Sequence, residues 1–207
     1  MKTGLVASFI RLIAGVYLQD NLTTPKTGRI YFANHSSHLD FLVIWAVLPA
    51  SLRKRTRPVA AADYWNRGAL RRYLANGLFR AVLINRESVR KGNNPVEIMA
   101  KALKDGEDLI LFPEGTRSLD GKIQDFKSGL FHLVREHPEV ELVPVYLENL
   151  NRILPKGEFL PVPILGRVAF GATLPGFAKE ETKTEFLTRC RDALIALAPV
   201  AQKTTSL

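Results

Sequence analysis

The sequence predicts an α/β fold: a single domain with a largely parallel mixed sheet flanked by helices. Three observations predict it. Short apolar runs of strand length alternate with helical patterns along the chain. The chain has 207 residues, 46% of them hydrophobic, which suits one domain with its own core and leaves no room for two ordinary ones. The polar clusters stand directly after apolar runs, where open α/β sheets gather their binding loops.

The elements follow in order. Residues 5–18, LVASFIRLIAGVYL, are apolar but shorter than the roughly 20 residues that a spanning helix needs. Arg11 interrupts the run and no small-residue cleavage site follows, which argues against a signal peptide. On a helical wheel Gly4, Ser8, Arg11, Gly15 and Gln19 form one narrow stripe and nearly all else is apolar. Such a helix either packs deep in a core or lies in a membrane interface. Its place at the terminus and the basic composition favour the interface, so residues 1–20 are expected to form an interfacial helix and 21–207 the main domain. Strands are expected at Arg29–Ala33, Pro58–Ala62, Ala81–Asn85, Asp108–Phe112, Glu141–Leu147 and Val168–Phe170. Helices are expected at Leu39–Leu48, stopped near Pro49, at Ala69–Asn76, ended by Gly77, and at Pro95–Lys104, Lys127–Glu136 and Glu181–Leu197. Pro144 inside its strand suggests an edge, a bulge or a strand end.

The net charge of +9 calls for an anionic partner: nucleic acid, a phospholipid surface or a phosphorylated substrate. The run Arg53-Lys54-Arg55-Thr56-Arg57 suits any anionic surface. It lacks interleaved aromatics and any nucleic-acid motif, so no nucleic-acid partner is expected. The single cysteine, Cys190, rules out a disulfide within the chain and a cysteine-only metal site. It falls in a helical pattern with no His nearby, which suits a structural role.

Two polar constellations carry chemistry. Asn34-His35-Ser36-Ser37-His38-Leu39-Asp40 links the first strand to an apolar helix. With His35 in the loop and Asp40 in the first helical turn, the carboxylate can reach one ring nitrogen, fix the tautomer and leave the other nitrogen as a base. Alone, the pair could equally be a helix-start Asp and a polar loop His. His38, only two residues before Asp40, is expected in packing. Phe112-Pro113-Glu114-Gly115-Thr116-Arg117-Ser118 follows the very apolar DLILF. Gly115 permits a tight turn, successive amides there can form an anion nest, and Arg117 offers a fork for a phosphate. An ordinary turn with a surface arginine is the alternative. Arg86, ending FRAVLINR, is a second phosphate candidate or a surface charge.

His35 and Asp40 within NHSSHLD, followed by FRAVLINR, FPEGTRS and LVPVYL in that order, resemble the glycerolipid acyltransferases of the lysophosphatidate acyltransferase (PlsC-like) type. Phe126-Lys127-Ser128-Gly129 is also similar to the family. The resemblance covers roughly residues 28–150. It implies a glycerol-3-phosphate acyltransferase-like fold, His35 as general base, Asp40 as its partner, and Arg86, Glu114, Gly115, Thr116 and Arg117 as ligands of the glycerol phosphate. It places Pro144 on the acyl-donor side. The chain departs from many relatives in having no clear spanning helix before the first block.

The expected function is transfer of a fatty acyl group from acyl-CoA or acyl carrier protein to the free hydroxyl of 1-acyl-sn-glycerol 3-phosphate, giving phosphatidic acid. No cofactor and no metal are expected, the thioester being a co-substrate. No G-x-S-x-G elbow supports a serine acyl-enzyme, so direct transfer suffices. The expected partners are a lysophospholipid, the acyl thioester and a membrane surface on its cytoplasmic face. Rival acceptors are glycerol 3-phosphate, dihydroxyacetone phosphate or a lyso-ornithine lipid, with a second phospholipid as a rival acyl source. A rival of another class is a non-catalytic membrane or nucleic-acid binder.

Overall fold

β1 (Arg29–Ala33) sends Tyr31 and Ala33 into one core and Ile30 and Phe32 into another, as a strand buried on both faces must. The computed structural model describes residues 2–14, 28–37, 40–85, 94–118, 121–149, 166–178 and 180–199. The other strands are β2 (Thr56–Ala61), β3 (Val82–Ile84), β4 (Asp108–Leu111), β5 (Glu141–Glu148) and β6 (Arg167–Phe170). Among the described residues they form one sheet in the order β3-β2-β4-β1-β5-β6. All pairings are parallel except β5 with β6. The mixed, largely parallel sheet is the predicted one, and each predicted strand is found within two residues of its bounds.

Helices cover both faces. On one, α1 (Lys2–Ala14) and α2 (Asp40–Val47) pack over Tyr31, Ile110, Val143 and Val168. On the other lie α6 (Pro95–Lys104), α7 (Gly129–Glu136) and α8 (Lys183–Ala196), whose start is locked by a Thr182–Glu185 capping box. α2 is apolar almost all round because the sheet covers one side and α1 another. α1 turns its small residues Ala7 and Ala14 inward, and Arg11 Nε donates to the Ala46 carbonyl at 2.7 Å. Its opposite side stays open, with Leu5, Phe9 and Leu12 at 73%, 62% and 79% exposure. The helix therefore packs along one edge and presents large apolar side chains along the other.

Several expectations need correction. α2 stops at Val47, short of Pro49 as expected, but Pro49 then caps a further helix that was not expected, α3 (Ala50–Arg55). The basic run that follows is mostly spent inside the fold. Arg53 donates to Ala46 O and lies over Trp45, Arg55 pairs with Asp108 at 3.1 Å, and Arg57 pairs with Glu107. The end of α3 and the start of β2 bring Arg55 and Arg57 to carboxylates at the amino end of β4, so Lys54 is the one exposed basic residue of the run. After α4 (Ala62–Trp65), helix α5 (Ala69–Tyr73) does not stop at Gly77 but widens into a π-helical turn, Leu74–Leu78. The extra residue brings Phe79 into edge-on contact with Phe41 and Trp45. Pro144 lies in an interior strand. Its carbonyl accepts from Gly171 N at 2.9 Å, so its missing N–H faces the position just past the end of the β6 ladder. The ring leaves room only for glycine there, since a Cβ on Gly171 would sit 2.7 Å from Pro144 Cγ. Cys190 is buried in α8 and burial pushes its thiol up to about 12, which suits the structural role.

At the amino end of the sheet Asp108 accepts from Arg29 N at 3.0 Å and pairs with Arg55. Burial outweighs these partners and pushes its carboxyl up to about 6. A raised folded-state value means that the native chain holds this proton while the unfolded chain has lost it. Between about pH 4 and 6, Asp108 therefore makes stability fall as pH rises. Urea unfolding of Asp108→Asn at pH 4.5 and 7.0 is expected to show a less negative change with rising pH than the parent. Identical pH dependences would refute the assignment.

Candidate active site

The site grows from the neighbouring carboxyl ends of β1 and β4. Because these strands pair in register, Ile30 with Leu109 through Phe32 with Leu111, the loops that follow them meet. They are stitched together twice: His35 N donates to Glu114 Oε1 at 2.7 Å, and Ser118 N donates to His35 O at 2.8 Å. Two sequence clusters some eighty residues apart thereby become one surface.

Asp40 opens α2 and is fully buried. Its Oδ2 accepts from Ser36 N at 2.7 Å and Ser37 N at 2.9 Å, and lies 2.8 Å from His35 Nδ1. With donors converging on this oxygen, Nδ1 is the donor and Nε2 the free acceptor of the imidazole. Phe112 stacks on the ring at 4.2 Å between centroids, so the imidazole is held on its edge by Asp40 and on its face by Phe112. The His35 side chain keeps 23% exposure, open to a reacting hydroxyl. A base held in this way can take a proton from an alcohol and return one to a leaving group.

The second loop turns at Gly115, whose φ of +74° suits glycine, closed by Gly115 N donating to Phe112 O at 3.1 Å. Thr116 is exposed and Arg117 half-exposed, and among the described residues Arg117 makes no ion pair. Its guanidinium is available to an anion, and the next residue, Ser118, is bonded through its backbone to His35.

Glu114 is placed differently from a phosphate ligand. It is buried, and its second oxygen accepts from Gln124 N at 3.0 Å. Both oxygens are thus spent on backbone amides, and burial pushes the carboxyl above its ordinary value. A negative group so used braces the two loops; it does not attract a phosphate. Arg86 and His38 lie outside the described residues. β3, which precedes Arg86, has β2 between it and β4.

Sequence reasoning passed over two supports. The Asn34 amide behaves as one more strand residue: Nδ2 donates to Leu147 O at 2.9 Å and Oδ1 accepts from Leu147 N at 2.8 Å. It ties the His35 loop to the end of β5. The signal available was a buried-strand end followed at once by Asn-His. Phe112 was legible only as the last apolar residue of DLILF. Among the described residues, no group of three or more His, Cys, Asp or Glu side chains is placed to hold a metal ion.

A family model described as Acyltransferase matches residues 15–148. The chain belongs to this acyltransferase family. It is 29% identical, over 68% of its length, to a 1-acyl-sn-glycerol-3-phosphate acyltransferase of Chlamydomonas reinhardtii, of which the match covers 40%. It is 30% identical, over 67% of its length, to a chloroplastic 1-acyl-sn-glycerol-3-phosphate acyltransferase of Arabidopsis thaliana, of which the match covers 36%. The chain thus spans less than half the length of these relatives. In fold, this acyltransferase-family chain is similar to the crystal structure of the 1-acyl-sn-glycerophosphate acyltransferase PlsC from Thermotoga maritima. The TM-score is 0.69 at 22% identity, with 96% of this chain and 80% of that one covered.

Proposed function

We propose that this chain transfers a fatty acyl group from acyl-CoA or acyl carrier protein to the free hydroxyl of 1-acyl-sn-glycerol 3-phosphate, yielding phosphatidic acid. The observation that carries the reading is the His35–Asp40 pair, held at 2.8 Å beside a glycine turn that presents Arg117. Arg117, with Arg86, holds the acceptor phosphate and so delivers the hydroxyl to His35 Nε2. The hydroxyl loses its proton to His35 as its oxygen attacks the thioester carbonyl. The C–S bond then breaks, and the thiolate leaves and takes up a proton. The names of the relatives support the same acceptor.

The acceptor resides in a bilayer, and the open side of α1, with Leu5, Phe9 and Leu12, suits insertion into the cytoplasmic leaflet. No helix among the described residues is long and apolar enough to cross a membrane. The deciding measurement is thiol release from acyl-CoA and from acyl carrier protein, followed with a thiol-trapping dye over a panel of lyso-lipids and glycerol 3-phosphate. The expected result is release that depends on 1-acyl-sn-glycerol 3-phosphate. Preference for another acceptor would reassign the substrate, and no acceptor-dependent release would sink the reading.

A further inference from the structure

Among the described residues the exposed large hydrophobic side chains fall on two helices only: Leu5, Phe9 and Leu12 on α1, and Leu70 and Tyr73 on α5. Leu70 is 71% and Tyr73 64% exposed, and three residues apart on a helix they share an edge. Around them stand Arg67, Arg71 and Arg72, all exposed. None of the three makes an ion pair among the described residues, in contrast to the run at 53–57, whose arginines are engaged within the fold. The Arg71 guanidinium lies over the Tyr64 ring, 4.4 Å from its centroid, a contact that leaves its charge unneutralised.

The position of α5 is as telling as its composition. α4 and the residue that ends the π-helical turn, on either side of it, are anchored on α2: Trp65 packs on Phe41 at 5.5 Å, and Phe79 packs on Phe41 at 5.3 Å and on Trp45 at 5.0 Å. Phe41 is the neighbour of Asp40. The segments flanking α5 therefore hold it along α2, with Trp65 of α4 on Phe41, next to Asp40, while Arg11 of α1 is fixed to Ala46. α1 and the segments on either side of α5, through Trp65, Leu74 and Leu78, pack against the core on the same face of the sheet.

We infer that α5 is a second membrane-docking element, which seats the His35–Asp40 end of the protein on an anionic phospholipid surface. The occupant follows from the chemistry. Three guanidinium groups with no ion pair among the described residues would repel a second copy of this chain. Two apolar side chains are far fewer than a stable protein interface uses. A leucine and a tyrosine ringed by arginines suit the headgroup region, where the rings and stems bury and the charges meet phosphates. The inference rests on the proposed lipid acceptor only for its purpose; the contact itself is testable without turnover.

The test uses the full-length protein and flotation with vesicles of phosphatidylcholine, with and without phosphatidylglycerol. Leu70→Ser/Tyr73→Ser is expected to weaken binding about tenfold or more on both. Arg67→Gln/Arg71→Gln/Arg72→Gln is expected to weaken it on the order of a hundredfold on the anionic vesicles only, about fivefold per arginine. In Tyr73→Trp, brominated lipid is expected to quench tryptophan fluorescence beyond the quenching of the parent, which reports contact directly. Parental binding by both multiple variants, or no added quenching in Tyr73→Trp, would overturn the inference. Turnover of a short-chain acceptor and thioester in free solution keeps the two readings apart. Its retention in the docking variants is expected, and its absence from the parent would sink the acyltransferase reading while leaving the vesicle results to stand.

Discussion

Replacing His35 by alanine is expected to lower kcat by about 10²–10⁴-fold, the usual contribution of a positioned proton-transfer group. The structure makes this the most consequential single change. The imidazole is held at 2.8 Å from a fully buried carboxylate and stacked at 4.2 Å on Phe112, an arrangement that fixes both the tautomer and the ring plane. The fold should survive, because the loop is held by its own backbone through Glu114 Oε1 and Ser118 N, which alanine leaves in place. Asp40→Asn is expected to cost at least about tenfold. The amide can still offer one oxygen where His35 Nδ1 and the amides of Ser36 and Ser37 meet, but it lacks the charge that stabilises the protonated imidazole. Steady-state thiol release with thermal unfolding of the same samples checks both. Near-parental kcat in a folded His35→Ala protein would remove His35 from the mechanism.

Arg117→Ala is expected to lower kcat/KM for the acceptor by roughly 10- to 150-fold, the loss of one charge-assisted contact worth about 1.5–3 kcal/mol. Most of it should appear as a higher acceptor KM, with some loss of kcat because the phosphate also orients the hydroxyl. The KM for acyl-CoA should not move. Stability should hardly change, since Arg117 makes no ion pair among the described residues. Arg86→Ala, assayed alongside, is expected to show the same asymmetry. If the donor KM rises selectively, these arginines serve the coenzyme side and the proposed acceptor orientation is wrong.

Local chemistry made much of the site legible. A His and an Asp five apart across a strand-to-helix junction can meet without help from distant chain, and they do. The turn at Gly115 is likewise written locally, in a residue that accepts a positive φ. Glu114 was not legible. A carboxylate next to Gly-Thr-Arg looks the same in sequence whether it faces a ligand or the backbone of His35 and Gln124. The basic run at 53–57 misled for a related reason. Charge counted along a chain cannot reveal that Asp108 and Glu107, fifty residues on, will lie beside it.

By itself the sequence determined the alternation of strands and helices, the largely parallel sheet and the two chemistry-bearing loops. These depend on short-range periodicity, turn residues and strand ends, whose physics spans only a few residues. Tertiary structure alone decided that β4 and not β2 lies next to β1, which joins the two loops into one site. It also decided that Pro144 sits in an interior strand, that Asn34 bonds to β5, and which apolar and basic side chains remain outside. Strand order, pairing partners and exposure arise from packing between segments far apart in the chain. No local pattern encodes them, because the same apolar strand can be buried beside several different neighbours.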